Sequence, residues 1–419
     1  MPPSRREFLH TAAAAPLGAA LAPLPARPQA TASLDRWRQR SAATNYEPWL
    51  EIDAVALRHN VREIARLAGG RPVLAVVKNN AYGLGLARVG PVIDALAPVG
   101  ALAVVKPEEA LALRAAGVRK PILLMGLADV ETGIELASHD IQLSVFTDDA
   151  SERLTAIARA IKRPVPVHLY VDSGMGRMGI RYDRAAAWID ALARLPQARL
   201  EGIFTELAES DTDLEQLDRF ASLIRTARAR GVRPPRLHAA SSHALFFRPE
   251  SAHLDMVRPG LVLYGAYPAG AQTSRQIELR PAFRLRARVV RVERLQPGDG
   301  ASYGRNFVAE RPTWIATLPV GHADGYPRQA VRGAEVLIGD RLYRVIGAVS
   351  ASHTIVEVGD ERTVHVGDVA TLVGPDHSAV APNTLAERAG ISVYDVLMHL
   401  SAGLPALTLD ASAGHDAQR

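Results

Sequence analysis

The sequence predicts an α/β protein, an N-terminal (β/α)8 TIM barrel joined to a C-terminal mostly-β domain. Two observations carry that prediction. Between residues 73 and 264, eight short apolar segments alternate with amphipathic helical stretches, the beat of a parallel barrel. From about residue 272 the beat changes, and strand-like segments follow one another without a helix until residue 384. An open doubly wound sheet is the rival for the first part, but no G-x-G-x-x-G follows its first strand.

Taken in order, the chain begins with Ser4-Arg5-Arg6-Glu7-Phe8-Leu9 and an apolar run over 11–24 broken by prolines. That run is too short for a membrane span and is followed by small residues, as in a cleavable signal. The paired arginines before Phe8-Leu9 match a twin-arginine export signal. Residues 1–32 are therefore expected to be a signal peptide, and the protein periplasmic, with no membrane association after cleavage. A polar linker covers 33–46, a short strand 49–53, and a helix 54–67 by periodicity. Barrel strands are expected at 73–78, 101–105, 121–125, 141–146, 165–171, 200–205, 236–240 and 257–264. Helices lie between them, among others at 106–116, 150–161, 184–195 and 213–230. Further strands are expected at 283–295, 313–318, 334–338, 342–349, 354–358 and 364–372, then helices at 384–389 and 393–402. The domains divide as 47–271 for the barrel and 272–411 for the β domain, with 412–419 a disordered tail.

Composition narrows the function. The 419 residues, 48% hydrophobic and 22% charged, are those of a folded protein with real cores. A net charge of +5 is spread without a basic run interleaved with aromatics, so no nucleic acid partner is expected. Cysteine is absent, which excludes disulfides, thiolate metal sites and cysteine nucleophiles, and suits an oxidising compartment. No metal is expected.

The stretch Pro72 to Gly85 carries the first chemical signal. Five apolar residues run into Lys78, a buried strand ending in a polar residue, and a glycine-rich turn follows before a helical pattern over 86–96. Barrel enzymes keep reactive groups at such strand ends. Burial lowers a lysine's pKa, and the neutral amine is the form that attacks a carbonyl. A lysine that merely snorkels from a strand end is the plainer alternative. Other polar residues gather at the same ends: Asp172 to Arg177, Glu206, His238 with Ser241 and Ser242, and Arg258 with Gly260. The loops after strands seven and eight are the usual phosphate cradle of such barrels, and Ser242 and side-chain-free Gly260 suit that role. A lysine opposite a phosphate site indicates pyridoxal 5'-phosphate.

Together these motifs are recognisable. Val76-Val77-Lys78-Asn79-Asn80-Ala81-Tyr82-Gly83, Asp172-Ser173-Gly174-Met175-Gly176-Arg177, Val257-Arg258-Pro259-Gly260 and Tyr264-Gly265 resemble the alanine racemase family. So do Ser302-Tyr303-Gly304 and Gly321-His322-Ala323-Asp324-Gly325-Tyr326-Pro327-Arg328, and the resemblance runs from about Pro48 to Leu409. It implies a pyridoxal phosphate-dependent racemase interconverting L- and D-alanine and other amino acids, a homodimer with shared active sites. Lys78 would hold the cofactor and serve as one base. Tyr303 would be the opposite base, reaching into the barrel of the other protomer. Tyr82, Ser242, Gly260 and Tyr394 would hold the phosphate. Arg258 would face the pyridine nitrogen, and Arg177 the cofactor's phenolic oxygen and the substrate carboxylate. Inverting a stereocentre takes a proton from one face and returns one to the other, so a base is needed on each side. Tyr303 on its own would be a packed strand aromatic.

Several positions depart from the family pattern, mostly at the substrate end. Tyr170 stands in place of a lysine, often carbamylated, that steers the arginine at position 177. Glu206 replaces a histidine and is free to pair with Arg258. His322 replaces a tyrosine at the substrate entrance, Ala351-Ser352 a Met-Asp pair, and Ser241 an asparagine. With the export signal, these changes point to a broad-specificity racemase with an altered pocket. Same-fold decarboxylases typically use a cysteine, which is lacking here, and non-catalytic cofactor carriers resemble the barrel alone. A degenerate racemase fold that only binds amino acids stays open, because fold does not fix function.

Overall fold

The computed structural model describes residues 47–233, 236–273 and 276–410. The expected signal peptide, the linker and the tail lie outside the described residues.

The barrel forms as the alternation predicts. Parallel strands Val73–Val76, Val99–Val104, Ile122–Leu124, Ile141–Val145, Val165–Asp172, Ala198–Thr205 and Leu237–His238 pair in sequence order. Segment 257–264 does not become a regular eighth strand. Met256 bridges His238 and Val257 bridges Val73, and Leu74 and Val76 donate to the carbonyls of Val257 and Pro259 at 2.8 and 2.9 Å. Pro259 has no N–H to continue the ladder, and Leu261–Tyr264 turns into a 3-10 helix. The barrel thus closes on a few bonds.

The interior holds Leu74, Val76, Ala101, Ala103, Leu123, Tyr170, Phe204 and Met256, while the outer faces of the strands pack on the helices. Helix Ala54–Leu67 shows the local logic. Asp53 caps it, accepting from Ala56 N at 2.9 Å, and its apolar stripe buries Leu57, Val61 and Ile64. Buried Asn60 on that helix donates to the carbonyls of Leu263 and Arg280 at 3.0 and 2.8 Å, tying it to the chain that leaves the barrel.

The second domain carries a nine-stranded sheet. One assignment changes here. Strand Trp49–Asp53, taken with the barrel from its position in sequence, belongs to this sheet, antiparallel to Phe283–Arg288 and parallel to Ala406–Leu409. Ala406–Leu409 itself was not expected. The expected strand 283–295 breaks into Phe283–Arg288 and Arg291–Leu295, which pair with different neighbours, Val369–Val373 and Thr313–Leu318.

Charge fixes this junction. Arg284 and Arg286 stand between Glu51, Asp53 and Asp376, and the Asp376 carboxylate accepts from Arg284 Nε at 2.8 Å, Thr371 Oγ1 at 2.9 Å and Arg286 Nη2 at 3.1 Å. Burial pushes the Asp376 carboxyl up, but the hydrogen bonds from Arg284 and Thr371 outweigh it and hold it below its ordinary value. A carboxyl depressed in the folded state stabilises above its unfolded pKa, and the contribution is lost as pH falls through the folded value. Asp376→Asn should therefore lower stability by about 2 kcal/mol at neutral pH. The difference from the parent should shrink in denaturant melts near pH 3, and equal losses at both pH values would rule out this linkage.

Candidate active site

The site is built at the carboxyl ends of the barrel strands, and its first feature is a strained turn. The strand stops at Val76, not at Lys78, and Lys78–Tyr82 turns back on itself with Asn79, Asn80, Ala81 and Tyr82 at φ of 54, 55, 54 and 55°. Left-handed backbone costs roughly 1 kcal/mol or more per non-glycine residue, least for asparagine. Buried Glu109 offsets this by accepting from Asn80 N at 2.9 Å and Lys106 N at 3.3 Å. Asn80 Oδ1 accepts from Leu86 N at 3.1 Å. The turn brings Lys78 and Tyr82 to one wall of a cavity of about 530 Å3.

Lys78, Tyr82, Arg177, Ser242, Arg258, Gly260 and Tyr394 all line that cavity. Tyr394 comes from helix Val393–Met398, so the second domain completes the wall. Burial lowers the Lys78 amine below the usual lysine range; Glu206 opposes the shift, and Arg177 and Arg258 add to it. Burial raises the phenols of Tyr82 and Tyr394, keeping both protonated as donors. Gly260 N donates to Ser242 Oγ at 3.0 Å, which leaves the hydroxyl proton free. A Cβ on Gly260 would lie 2.2 Å from the Tyr82 hydroxyl, so only glycine fits there. Arg177 follows an Asx turn in which Asp172 Oδ1 accepts from Gly174 N and Gly176 N at 2.9 and 3.1 Å.

Three of the departing positions, Tyr170, Glu206 and Ser241, line the same cavity. Glu206 Oε2 pairs with Arg258 Nη2 at 2.8 Å, the direct pair anticipated from the sequence. Tyr170 is buried against Phe204, ring centroids 4.2 Å apart. Burial and then Glu206 push its phenol up, while Arg258 and a hydrogen bond with Arg177 oppose. A neutral phenol thus stands beside Arg177. Ser241 donates to Glu209 Oε1 at 3.3 Å.

Tyr303, His322 and Ala351 are not brought to this cavity. Tyr303 is 77% exposed on a turn of the second domain. His322 and Ala351 sit on adjoining loops, where His322 N and Ala323 N donate to the carbonyls of Ser350 and Ala351 at 3.0 Å each. His322 Nε2 meets Arg328 Nη2 at 3.1 Å.

The sequence reading passed over Glu109, Glu209, Gln142 and His168. Gln142 and His168 carried a usable signal, strongly polar residues inside mainly apolar barrel strands. Among the described residues, no three His, Cys, Asp or Glu side chains could hold a metal ion, and no helix is long and apolar enough to cross a membrane.

Family models for the alanine racemase N-terminal and C-terminal domains match residues 52–268 and 282–408. The alanine racemases of Desulfovibrio desulfuricans and Symbiobacterium thermophilum are each 36% identical, over 85% of this chain and 96% of theirs. Among solved structures, alanine racemase from Streptomyces lavendulae superposes with a TM-score of 0.81 at 31% identity, over 88% of this chain and 98% of that one. That of Streptomyces coelicolor gives 0.79 at 31%, over 88% and 100%. Both domain matches fall in order along one chain, and the cavity opens where the barrel meets the second domain: the protein belongs to the alanine racemase family, whose members depend on pyridoxal phosphate.

Proposed function

We propose that this racemase interconverts the L and D forms of alanine and of larger amino acids, with Lys78 and Tyr303 as its two bases. The proposal includes export by the twin-arginine route to the periplasm and a homodimer with shared sites. The observation that carries it is the single cavity in which a desolvated lysine, a buried arginine and two phenol donors meet.

The residues present fit the cofactor. Tyr82, Tyr394, the Ser242 hydroxyl and the bare rim at Gly260 form a donor set for a phosphate, and the Lys78 amine is biased toward its neutral, nucleophilic form. When bound, the cofactor withdraws electrons from the substrate Cα so that its proton becomes removable. Lys78 holds the cofactor and exchanges a proton on one face, and Tyr303 exchanges one on the other. Arg177 binds the substrate carboxylate, steadied by the Tyr170 phenol where no second charge is available. Arg258, held by Glu206 and His238 through its two terminal nitrogens, would have its Nε–H left to offer the ring nitrogen.

The exposed Tyr303 side chain supports delivery into a second copy's cavity. Mixing equal amounts of Lys78→Ala and Tyr303→Phe protomers should restore racemisation at about a quarter of sites, because about half the dimers are mixed and each mixed dimer rebuilds one complete site of its two. No rescue after confirmed subunit exchange would mean that the site is built within one chain.

Arg5 and Arg6 are proposed to direct export. Changing both to lysine should leave folded protein in the cytoplasm, read by fractionation, whereas continued periplasmic recovery would point to another route.

Broad specificity rests on the altered loops. Ala351 in place of methionine removes a long side chain, and one methylene in an apolar pocket shifts discrimination by roughly 1–3 kcal/mol. Chiral chromatography after incubation with a panel of L-amino acids should show racemisation beyond alanine. Ala351→Met should then move the kcat/KM ratio back toward alanine. Racemisation of alanine alone, unchanged by Ala351→Met, would leave an alanine-specific enzyme.

A further inference from the structure

We propose that His168, with Gln142 behind it, is a positioning residue for Arg258 and acts through His238. The proposal rests on the racemase reading for what Arg258 does, but the order of the hydrogen bonds stands on geometry alone.

A guanidinium can only donate. The contact of Arg258 Nη1 with His238 Nδ1, at 2.9 Å, therefore makes that nitrogen an acceptor. A neutral His238 then carries its proton on Nε2 and donates to His168 Nδ1, 3.0 Å away. His168 in turn carries its proton on Nε2 and donates to Gln142 Oε1 at 3.1 Å. One donor-only group sets three hydrogen bonds in a single direction. Arg258, His238, His168 and Gln142 are 3, 0, 2 and 8% exposed, so water has little access to replace any of them.

The barrel makes room for this chain. A Cβ on Gly202 would lie 2.7 Å from His168 Nδ1, so the neighbouring strand keeps a glycine where the imidazole crosses it. The His238 ring stacks on Phe204, centroids 5.0 Å apart and planes 7° from parallel, with the Arg258 guanidinium 5.2 Å from the same ring.

Neutrality of both rings is part of the device. Burial, with the positive charges of Arg236 and Arg258, holds His168 down to about 3. Burial and then Arg258 hold His238 well below its ordinary value, with His168 and Arg236 adding to it. Glu206 lies beyond Arg258, paired with its other nitrogen. Protonating His168 would set N–H against N–H at His238, drive the His238 proton onto Nδ1, and oppose it to Arg258.

The test begins with the purified full-length protein labelled with 15N-histidine. Long-range nitrogen–proton spectra, assigned with His168→Gln, should show both rings neutral and protonated on Nε2 from pH 5 to 8. A proton on His238 Nδ1, or a charged ring at pH 7, overturns the proposal. The second arm is Gln142→Glu, close in size, whose carboxylate favours an imidazolium at His168 and so raises its pKa toward the ordinary histidine range. It should add to kcat an acid loss beyond the parent's own, about tenfold more between pH 8 and pH 5.5, with KM changing less. His168→Gln, which can still accept from His238 and donate to Gln142, should keep more kcat than His168→Phe. An unchanged pH profile in Gln142→Glu, or equal losses in the two His168 variants, overturns the positioning role. If the parent racemises nothing, the racemase reading fails, and the nitrogen spectra still decide the hydrogen-bond order.

Discussion

A guanidinium buried in a barrel mouth cannot be left with unmet donors, because an uncompensated buried charge costs several kcal/mol. Arg258 is that group, and its demands organise the strand ends around it. Its Nη2 donates to Thr205 O and Glu206 Oε2, both at 2.8 Å, and its Nη1 to His238. Thr205 ends one strand, His238 ends the next, and Arg258 lies in the segment that closes the barrel. Regular pairing is thinnest here, since Leu237–His238 is two residues long and the closing segment makes isolated bridges. The arginine therefore ties together strands that backbone bonds hold weakly. Closure of the fold and orientation of a cavity-lining charge depend on the same side chain.

What the sequence made legible follows from how local each signal is. The helix over 54–67, the helix over 150–161 and the strand over 313–318 appear with the bounds expected, because periodicity and β-branched runs are properties of neighbouring residues. The eighth strand failed at Pro259, where a missing donor outweighs an apolar run. The sheet to which Trp49–Asp53 belongs was not legible, because pairing with Phe283–Arg288 and Ala406–Leu409 is decided by distant segments and by the charges of Glu51, Asp53 and Arg284. The left-handed turn at Asn79 to Tyr82 was also hidden. Gly83 and Gly85 follow it, but the strained residues are two asparagines, an alanine and a tyrosine, held by Glu109 from another part of the chain.

The candidate site divides in the same way. Lys78, Arg177, Ser242, Arg258 and Gly260 meet in one cavity because they follow barrel strands and strand ends converge by geometry, whereas Tyr394 comes from the second domain and was expected only from the family resemblance. His322 and Ala351 lie on second-domain loops cross-tied by backbone bonds from 322–323 to 350–351, and the turn of Tyr303 is tied to the same region through Ser302 Oγ and Ala348 O. No rule of strand ends would group them. The buried polar line from Gln142 to Arg258 was missed because histidines in apolar strands read singly as satisfied core residues, and only the fold places them nose to tail.

Both candidate bases share a backbone property that bears on how they work. Lys78 leads into four left-handed residues, and Tyr303 is flanked by Ser302, Gly304 and Arg305 at φ of 65, 70 and 47°. Such backbone persists only where the surroundings over-determine it, and it clusters where geometry matters to function. Around Tyr303 the restraint is visible. Ser302 Oγ donates to Ala348 O at 2.9 Å, and Gly347 packs so closely on Ala301 that a Cβ there would lie 2.8 Å from its carbonyl. The ring is exposed but its main chain is pinned, a combination that costs apolar hydration and gains order in advance. A side chain fixed before docking loses less entropy when it docks. On the two-base proposal, each pinned turn, one at the barrel mouth and one on the second domain, would hold its own group in place in advance, and the separation of the two would be set by how the protomers pair.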